Sequence, residues 1–217
     1  MSPRTPKQYE EIRKSKKKLI METALELFAN EGFHTTSVSK IAKKAGISKG
    51  LIYNYFESKE DLLAKIFHDI IDRTVDMLDP NHDAIITKKE AEGFFDRFFG
   101  VLTSNPQEWK LFYQLSVQKD VMKLLMEENM NQRTQDNQKL ILNYFSQQNF
   151  KDPELAIVMF SSLVKGFTLM YAFAPEMFPD ELLDKIKAKF KDMFINKEKQ
   201  HKSKEIQIDE KFGFYLL

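Results

Sequence analysis

The sequence predicts an all-α protein of about nine helices, with a small N-terminal domain followed by a larger helical bundle. Gly accounts for 7 of 217 residues, about 3% against an average of about 7%, so little material is present for a turn-rich β fold. Apolar residues recur at helical spacing, and strand-like alternation is confined to residues 206–208. Because Cys is absent, disulfides, thiolate metal sites and Cys nucleophiles are excluded.

Charge is distributed unevenly along the chain. Residues 1–56 contain 11 Lys and Arg against 5 Asp and Glu, whereas the remainder contains 22 against 27. A basic first quarter predicts contact with a polyanion at that end, with an ordinary solvated helix face as the alternative. The N-terminal residues lack the apolar stretch of a secretory signal, and we expect no membrane-spanning helix.

Four helices are predicted in the N-terminal third of the chain. The first covers residues 9–30 and ends at Gly32, where a positive φ carries no Cβ strain. Two short helices follow, at residues 37–44 and 48–54. A Ser-x-x-Asp start signal then opens a long helix over residues 58–78.

The sequence predicts longer helices in the rest of the chain. Thr87 to Glu90 forms a capping box, and Asp152-Pro153-Glu154 combines a capping Asp, a Pro at the first position and an acid in the first turn. The predicted helices cover residues 87–104, 107–117, 120–146 (one bent helix or two), 152–173 and 179–196. Residues 155–173 are apolar on nearly every side, which predicts burial by the same domain or by a second subunit.

Residues 38–56 have the spacing of two short helices that meet at a steep angle. Ala42 supplies a small residue where the helices approach, and Gly46 supplies a residue that tolerates positive φ in the turn. The apolar residues expected to face inward are Val38, Ile41, Ala45, Ile47, Ile52 and Phe56. This arrangement predicts a helix-turn-helix, with an ordinary helical hairpin as the alternative.

The outward face of the second short helix carries groups suited to DNA. It gathers hydroxyls, an amide, a cation and a bare backbone position, at Ser48, Lys49, Gly50, Tyr53, Asn54 and Tyr55. Gly disfavours a helix by about 1 kcal/mol relative to Ala. Its presence is explained if this helix must approach another surface closely, and N–H groups at a helix N-terminus bind phosphate.

The stretch TTSVSKIAKKAGISKGLIYNYFESKEDLL, residues 35–63, resembles the DNA-binding signature of the TetR/AcrR family of bacterial transcriptional repressors. The resemblance covers about residues 12–65. It implies a cytoplasmic homodimer without enzymatic activity or cofactor, joined through its last two long helices. Such a dimer binds a pseudo-palindromic double-stranded DNA operator and is released by a small apolar or amphipathic effector.

The resemblance also implies roles for single residues. Lys49, Gly50 and Tyr53 would lie nearest the base edges of the major groove. The residues implied at phosphates are Thr36, Ser48, Tyr55 and Lys59. Asn54 departs from the family's usual aromatic or His; it would bond to adenine or to a phosphate.

The bundle has no recognisable motif, and its aromatic residues have two interpretations. Either they are core packing, or some of them line an apolar effector pocket. The candidate pocket residues are Phe94, Phe98, Phe99, Trp109, Phe112, Tyr113, Met122, Met126, Phe167 and Tyr171. We therefore expect a DNA-binding domain at residues 1–60, a ligand-binding and dimerisation domain at 61–196, and a charged tail with an apolar end at 197–217.

Other chemistries find little support in the sequence. Residues 46–50 match G-x-S-x-G, but a nucleophile elbow needs a preceding strand, and this segment is predicted to be helical. The four His residues lack metal-ligand spacing, so we expect no metal site. The alternative function is an all-helical small-molecule-binding protein or enzyme that retains a vestigial helix-turn-helix.

Overall fold

The computed structural model describes residues 5–128, 132–148 and 150–195, with the side chains of 126–128 and 132–134 excepted. The predicted all-α class is confirmed, since no strand occurs in these ranges. They contain ten α-helices and one 3₁₀ turn, Pro175–Met177. The helices are α1 (Pro6–Glu31), α2 (Val38–Ala45), α3 (Lys49–Tyr53), α4 (Lys59–Leu78), α5 (Lys88–Ser104), α6 (Pro106–Ser116), α7 (Lys119–Glu128), α8 (Gln132–Gln147), α9 (Pro153–Phe173) and α10 (Asp180–Phe194).

The start and stop signals read from the sequence act as predicted. Thr87 and Glu90 form a capping box at α5, and the Asp152 carboxylate accepts the N–H of Leu155 at 2.9 Å at the start of α9. Gly32 ends α1 with φ +92°. The segment predicted at residues 120–146 consists of two helices, α7 and α8. Residues 197–217, including the strand-like 206–208, lie outside the described residues.

The chain divides into two compact units. Among the described residues, the first comprises those up to Asp69 together with Leu111–Leu125, and the second comprises Ile70–Lys110 together with those after Leu125. Residues 61–69 and 111–125 thus pack with the N-terminal helices. The boundary near residue 60 between a DNA-binding domain and a ligand-binding and dimerisation domain remains a prediction.

The first unit has an apolar core on one face of α1. Ile20, Ala24 and Phe28 are fully buried, and Phe33 folds back so that its ring lies 5.1 Å from that of Phe28. Gln118 joins the end of α1 to a distant part of the sequence. Its side-chain amide donates to the Phe28 carbonyl at 2.9 Å, and its oxygen accepts the Phe33 N–H at 3.1 Å. This glutamine therefore holds the turn that precedes α2.

The second unit has an aromatic core between α5, α9 and α10. Phe99 stacks on Phe167 with ring centroids 5.1 Å apart, and Phe190 contacts both rings edge-on. At the surface, the Lys191 ammonium donates to Asp96 at 2.8 Å. This hydrogen bond lowers the pKa of Asp96 below its usual range and ties α10 to α5.

Helix α9 differs from expectation in one respect. By length and composition, α9 is long and apolar enough to cross a membrane. The expectation that no segment of the chain is long and apolar enough to do so is therefore wrong. A single helix of this kind is weak evidence for a membrane, because core helices of water-soluble proteins have the same composition. Several of its apolar side chains are exposed in the single chain, among them Leu155, Met159 and Met170.

Candidate nucleic-acid interface

Helices α2 and α3 form the turn that the spacing predicts. Ser37 caps α2 by accepting the Lys40 N–H at 3.2 Å, and Gly46 ends it in the left-handed region with φ +66°. Ile41 and Ala42 of α2 and Ile52 of α3 are all buried. The buried small residue Ala42 and the left-handed turn at Gly46 agree with the helix-turn-helix that the spacing predicts.

The outward face of α3 is open to solvent. Ser48, Lys49, Gly50, Tyr53 and Asn54 are all exposed, and Tyr53 retains 48% of its accessible surface. A Cβ placed on Gly50 would meet no atom of the chain within 4 Å. Nothing inside the protein therefore requires a glycine there, which agrees with a position kept bare for an external surface.

Two of these residues also have local structural tasks. The Ser48 hydroxyl accepts the Leu51 N–H at 3.2 Å and so caps α3. The backbone N–H of Asn54 donates to the Leu51 carbonyl at 3.2 Å at the end of the helix, and the residue as a whole is exposed. The Lys49 ammonium lies 5.8 Å from the centre of the Tyr53 ring. Tyr55, just beyond the end of α3, is half-buried.

Thr36 needs a correction. The sequence resemblance implies a phosphate contact, but the residue is 0% exposed. Its hydroxyl donates to the carbonyl oxygens of Gly32, at 2.9 Å, and Leu27, at 3.3 Å. In this conformation the Thr36 side chain holds the end of α1 and does not face solvent.

Lys59, at the start of α4, is also turned inward. Its ammonium donates to the carbonyl oxygens of Phe33 at 2.8 Å, Thr36 at 3.2 Å and His34 at 3.4 Å. The same ammonium lies 4.4 Å from the centre of the Phe33 ring. Lys59 thus ties α4 to the turn before α2, a positioning role that the sequence motif does not reveal.

The candidate pocket residues do not form one group. Phe112, Tyr113 and Met122 belong to the first unit, and the side chain of Met126 lies outside the described residues. The remainder pack within the second unit as direct ring contacts, for example Phe98 against Trp109 at 5.6 Å. The members of this second group are Phe94, Phe98, Phe99, Trp109, Phe167 and Tyr171.

The second unit does contain a small cavity, of about 20 Å³, which is room for about one water molecule. Of the candidate pocket residues, only Phe94 lines it; its neighbours include Tyr144, Phe145 and Phe160. The Tyr144 hydroxyl is buried there, which raises the pKa of Tyr144 to about 12. An effector site built from the predicted residues remains a prediction.

The fold and the exposed α3 face define a helix-turn-helix protein. Residues 20–66 match the model of the bacterial regulatory proteins of the tetR family. The chain is 54% identical over 61 residues to the Bacillus subtilis helix-turn-helix regulator YuxN, covering 28% of this chain and 21% of YuxN. It is 38% identical over 71 residues to the fatty acid metabolism regulator protein of Bacillus subtilis, covering 33% of this chain and 37% of that protein. The chain thus aligns with well under half the length of these relatives.

Solved structures match a larger part of the chain. The fatty acid degradation regulator FadR from Bacillus halodurans has a TM-score of 0.61 at 22% identity, covering 89% of this chain and 97% of that one. A TetR family transcription regulator from Marinobacter aquaeolei VT8 has a TM-score of 0.62 at 20% identity, covering 85% and 97%. At these identities the likeness establishes the fold. Residues 20–66 therefore have the sequence features of the tetR family of bacterial regulatory proteins, as the resemblance of residues 35–63 predicts.

Proposed function

We propose that this protein is a cytoplasmic, homodimeric transcription regulator that binds a pseudo-palindromic DNA operator through α3. The observation that carries the proposal is the bare Gly50 beside exposed Lys49 and Tyr53 on one short helix face. A helix of this kind presents its N-terminal residues to base edges in the major groove. Glycine at the second helical position allows the backbone itself to approach the DNA.

Charge in the first unit supports an anionic partner for the helix-turn-helix. The Lys44 ammonium on α2 pairs with Glu26 of α1 at 2.7 Å, and Lys40 of α2 pairs with Glu31 of α1. Lys49, by contrast, forms no ion pair within the described ranges. Its positive charge therefore remains available to the phosphates or to a guanine edge.

The exposed apolar side chains of α9 support a dimer. Leu155, Met159, Leu163, Met170 and Phe173 are exposed large hydrophobic residues, and their spacings of 4, 4, 7 and 3 place them on one helical stripe. An apolar stripe of this length on a single chain marks a protein interface. A second copy related by a two-fold axis covers it, with α10 beside α9, and presents a second α3 to the other half-site.

A response to a small apolar or amphipathic effector completes the proposal. Two observations support such an effector: the interior of the second unit is aromatic, and the chain is similar to the fatty acid metabolism regulator protein of Bacillus subtilis. The cavity beside Phe94 and Tyr144 holds about 20 Å³, so a ligand larger than a water molecule would enter that cavity only if the surrounding rings repack. The effector releases DNA only if it binds the DNA-incompetent state more tightly.

Selection of bound sequences from a random DNA library with the purified full chain tests this proposal. We expect a palindromic motif whose binding weakens steeply with salt as counterions are released. The variants Lys49→Ala and Tyr53→Ala should each lose specific binding with unchanged helicity, whereas Lys123→Ala, an exposed lysine on α7, should bind as the wild type does. No enriched motif from folded protein at low salt would overturn the proposal and favour the ligand-binding alternative.

A further inference from the structure

The first half of α1 lies outside the apolar core of the first unit. The helix begins with a capping box before Pro6, but its first buried residue is Ile20. Residues 6–19 are exposed apart from Lys16 and Leu19, which are half-buried. At about 1.5 Å of rise per residue, this segment is about 20 Å long. It therefore presents several helical turns that no other part of the chain covers.

One face of this segment, which we call the α1 surface, is aromatic and basic. Its members are Tyr9, Arg13, Lys16 and Lys17. Their spacings of 4, 3 and 1 place them on one side of the helix. The buried residues with the same spacings, further along α1, are Ile20, Ala24, Leu27 and Phe28. The two sets are eleven residues apart, which is about three full turns, so the face that is apolar inside the core continues as a basic face outside it.

The positive charge of the α1 surface is not neutralised by the protein. Its three cations form no ion pair within the described ranges of the chain. On the rest of α1, by contrast, Lys14 pairs with Glu10 at 3.9 Å and Lys18 pairs with Glu22 at 3.7 Å. Tyr9 is 59% exposed and adds a hydroxyl group. Lys, Arg and Tyr side chains are common donors to the phosphates of DNA, so this surface suits a phosphate backbone.

The direction of α2 relates the α1 surface to α3. Lys40 near the start of α2 pairs with Glu31 at the end of α1. One turn further along α2, Lys44 pairs with Glu26, which is earlier in α1. Helix α2 therefore runs back along α1, and the turn at Gly46 leads into α3 toward the N-terminal half of α1. The start of α3 and the α1 surface thus lie toward the same end of the first unit.

We propose that the α1 surface binds the phosphates of double-stranded DNA beside the half-site that α3 occupies. The inference rests on the proposed function for its partner, and it assigns a second contact surface that reads no bases. Unpaired positive charge and continuity with α3 are the two observations that support this partner. Because phosphate contacts are independent of base sequence, the α1 surface adds affinity and leaves the preferred motif unchanged.

Fluorescence anisotropy with two labelled duplexes tests the proposal. One duplex is the selected operator alone, and the other carries about one further helical turn, roughly 10 base pairs, on each side. We expect the full chain to bind the longer duplex more tightly. In the triple variant Arg13→Gln/Lys16→Gln/Lys17→Gln this advantage should disappear. The slope of log affinity against log salt on the longer duplex should fall by about 3 for each protomer, at about 0.9 per lost phosphate contact.

The same segment offers a matched control variant, Lys7→Gln/Lys14→Gln/Lys18→Gln. These lysines are spaced by 7 and 4 residues and so lie on one side of the helix, away from the α1 surface. The control removes the same charge, and Gln resembles Lys and Arg in helix propensity, so both variants should stay folded by circular dichroism. The control should keep the advantage of the longer duplex.

Equal loss of affinity in the two variants would overturn the proposal, because it would show a dependence on total charge and not on one face. Equal binding of both duplexes by the wild type, or an undiminished advantage of the longer one in the first variant, would overturn it as well. These results leave motif selection by α3 intact. If the folded chain selects no motif, a duplex of arbitrary sequence at low salt separates the two proposals. Weaker binding by the first variant than by the control would then support the α1 surface although the proposed function had failed, and equal binding would overturn both.

Discussion

Replacing Gly50 by Ala separates the stability of the helix-turn-helix from its contact with DNA. In the structure a Cβ at this position meets no atom of the chain within 4 Å, so the methyl group creates no clash. Ala is favoured over Gly in a helix by up to about 1 kcal/mol. The variant should therefore unfold at the same temperature as the wild type or up to about 4 °C higher, as expected for a chain of this size.

The effect on DNA binding has the opposite sign. If the α3 backbone lies in van der Waals contact with the groove, an added methyl group overpacks that contact at a cost of about 1–3 kcal/mol. The dissociation constant for specific DNA should then rise about 5- to 150-fold. A Gly50→Ala variant that is more stable but binds DNA more weakly would indicate that the DNA lies too close to this position for a side chain.

Thermal unfolding by circular dichroism and fluorescence anisotropy with a selected operator measure the two effects. Gly100→Ala provides the matched control, since Gly100 is an exposed helical glycine on α5 whose added Cβ also meets open space. It should gain similar stability and keep full DNA affinity. Wild-type affinity in Gly50→Ala would refute the close approach of the backbone, and a lowered unfolding temperature would refute the reasoning from open space.

Three further substitutions test other parts of the structure. Lys59→Met should lower the free energy of unfolding in urea by about 2 kcal/mol, because three carbonyl groups lose a charged donor; unchanged stability with lost DNA binding would assign Lys59 to a phosphate instead. Leu163→Glu should convert the dimer to monomer in sedimentation experiments, whereas Val117→Glu, at an exposed apolar residue of the first unit, should not; a dimeric Leu163→Glu protein would contradict the α9 interface. Burial lowers the pKa of Lys165 from 10.5 to about 8. Between about pH 8 and pH 10.5 this lysine therefore holds its proton more often in the unfolded chain than in the folded one, so its contribution to the free energy of unfolding increases with pH. Near pH 7 the variant Lys165→Met should therefore unfold at a higher temperature than the wild type, and near pH 10 this difference should be mostly lost. A difference in unfolding temperature that does not change with pH would contradict a role for the charge of Lys165.

The limits of the sequence are clearest at single residues of the site. Motif matching placed Thr36 and Lys59 at phosphates because it aligns residue types and carries no information on side-chain direction. In the structure the Thr36 hydroxyl and the Lys59 ammonium both bond to backbone carbonyls around the turn before α2. A signal was available for Lys59, since the last carbonyls of a helix and its following turn lack intrahelical donors. Its partners, however, lie 23 to 26 residues away in the chain.

The position of distant partners is the other feature that local patterns do not contain. Gln118 lies 90 residues from the Phe28 carbonyl to which it donates, and no spacing rule connects the two. The candidate pocket residues Phe112 and Trp109 are only three apart in sequence, yet they belong to different units. The aromatic composition predicted that the interior would be apolar, which is correct, but it could not predict which rings would pack together.

The sequence by itself determined the all-α class, the starts of eight of the ten described α-helices to within one residue, and the module at residues 35–63 with its turn at Gly46. These features depend on local physics: capping side chains, helical periodicity and the φ preference of glycine act within a few residues. Only the tertiary structure decided that Lys59 and Thr36 face inward and that Gln118 bonds to the end of α1. Burial and side-chain direction are set by which distant helices pack together, and that is a property of the whole chain.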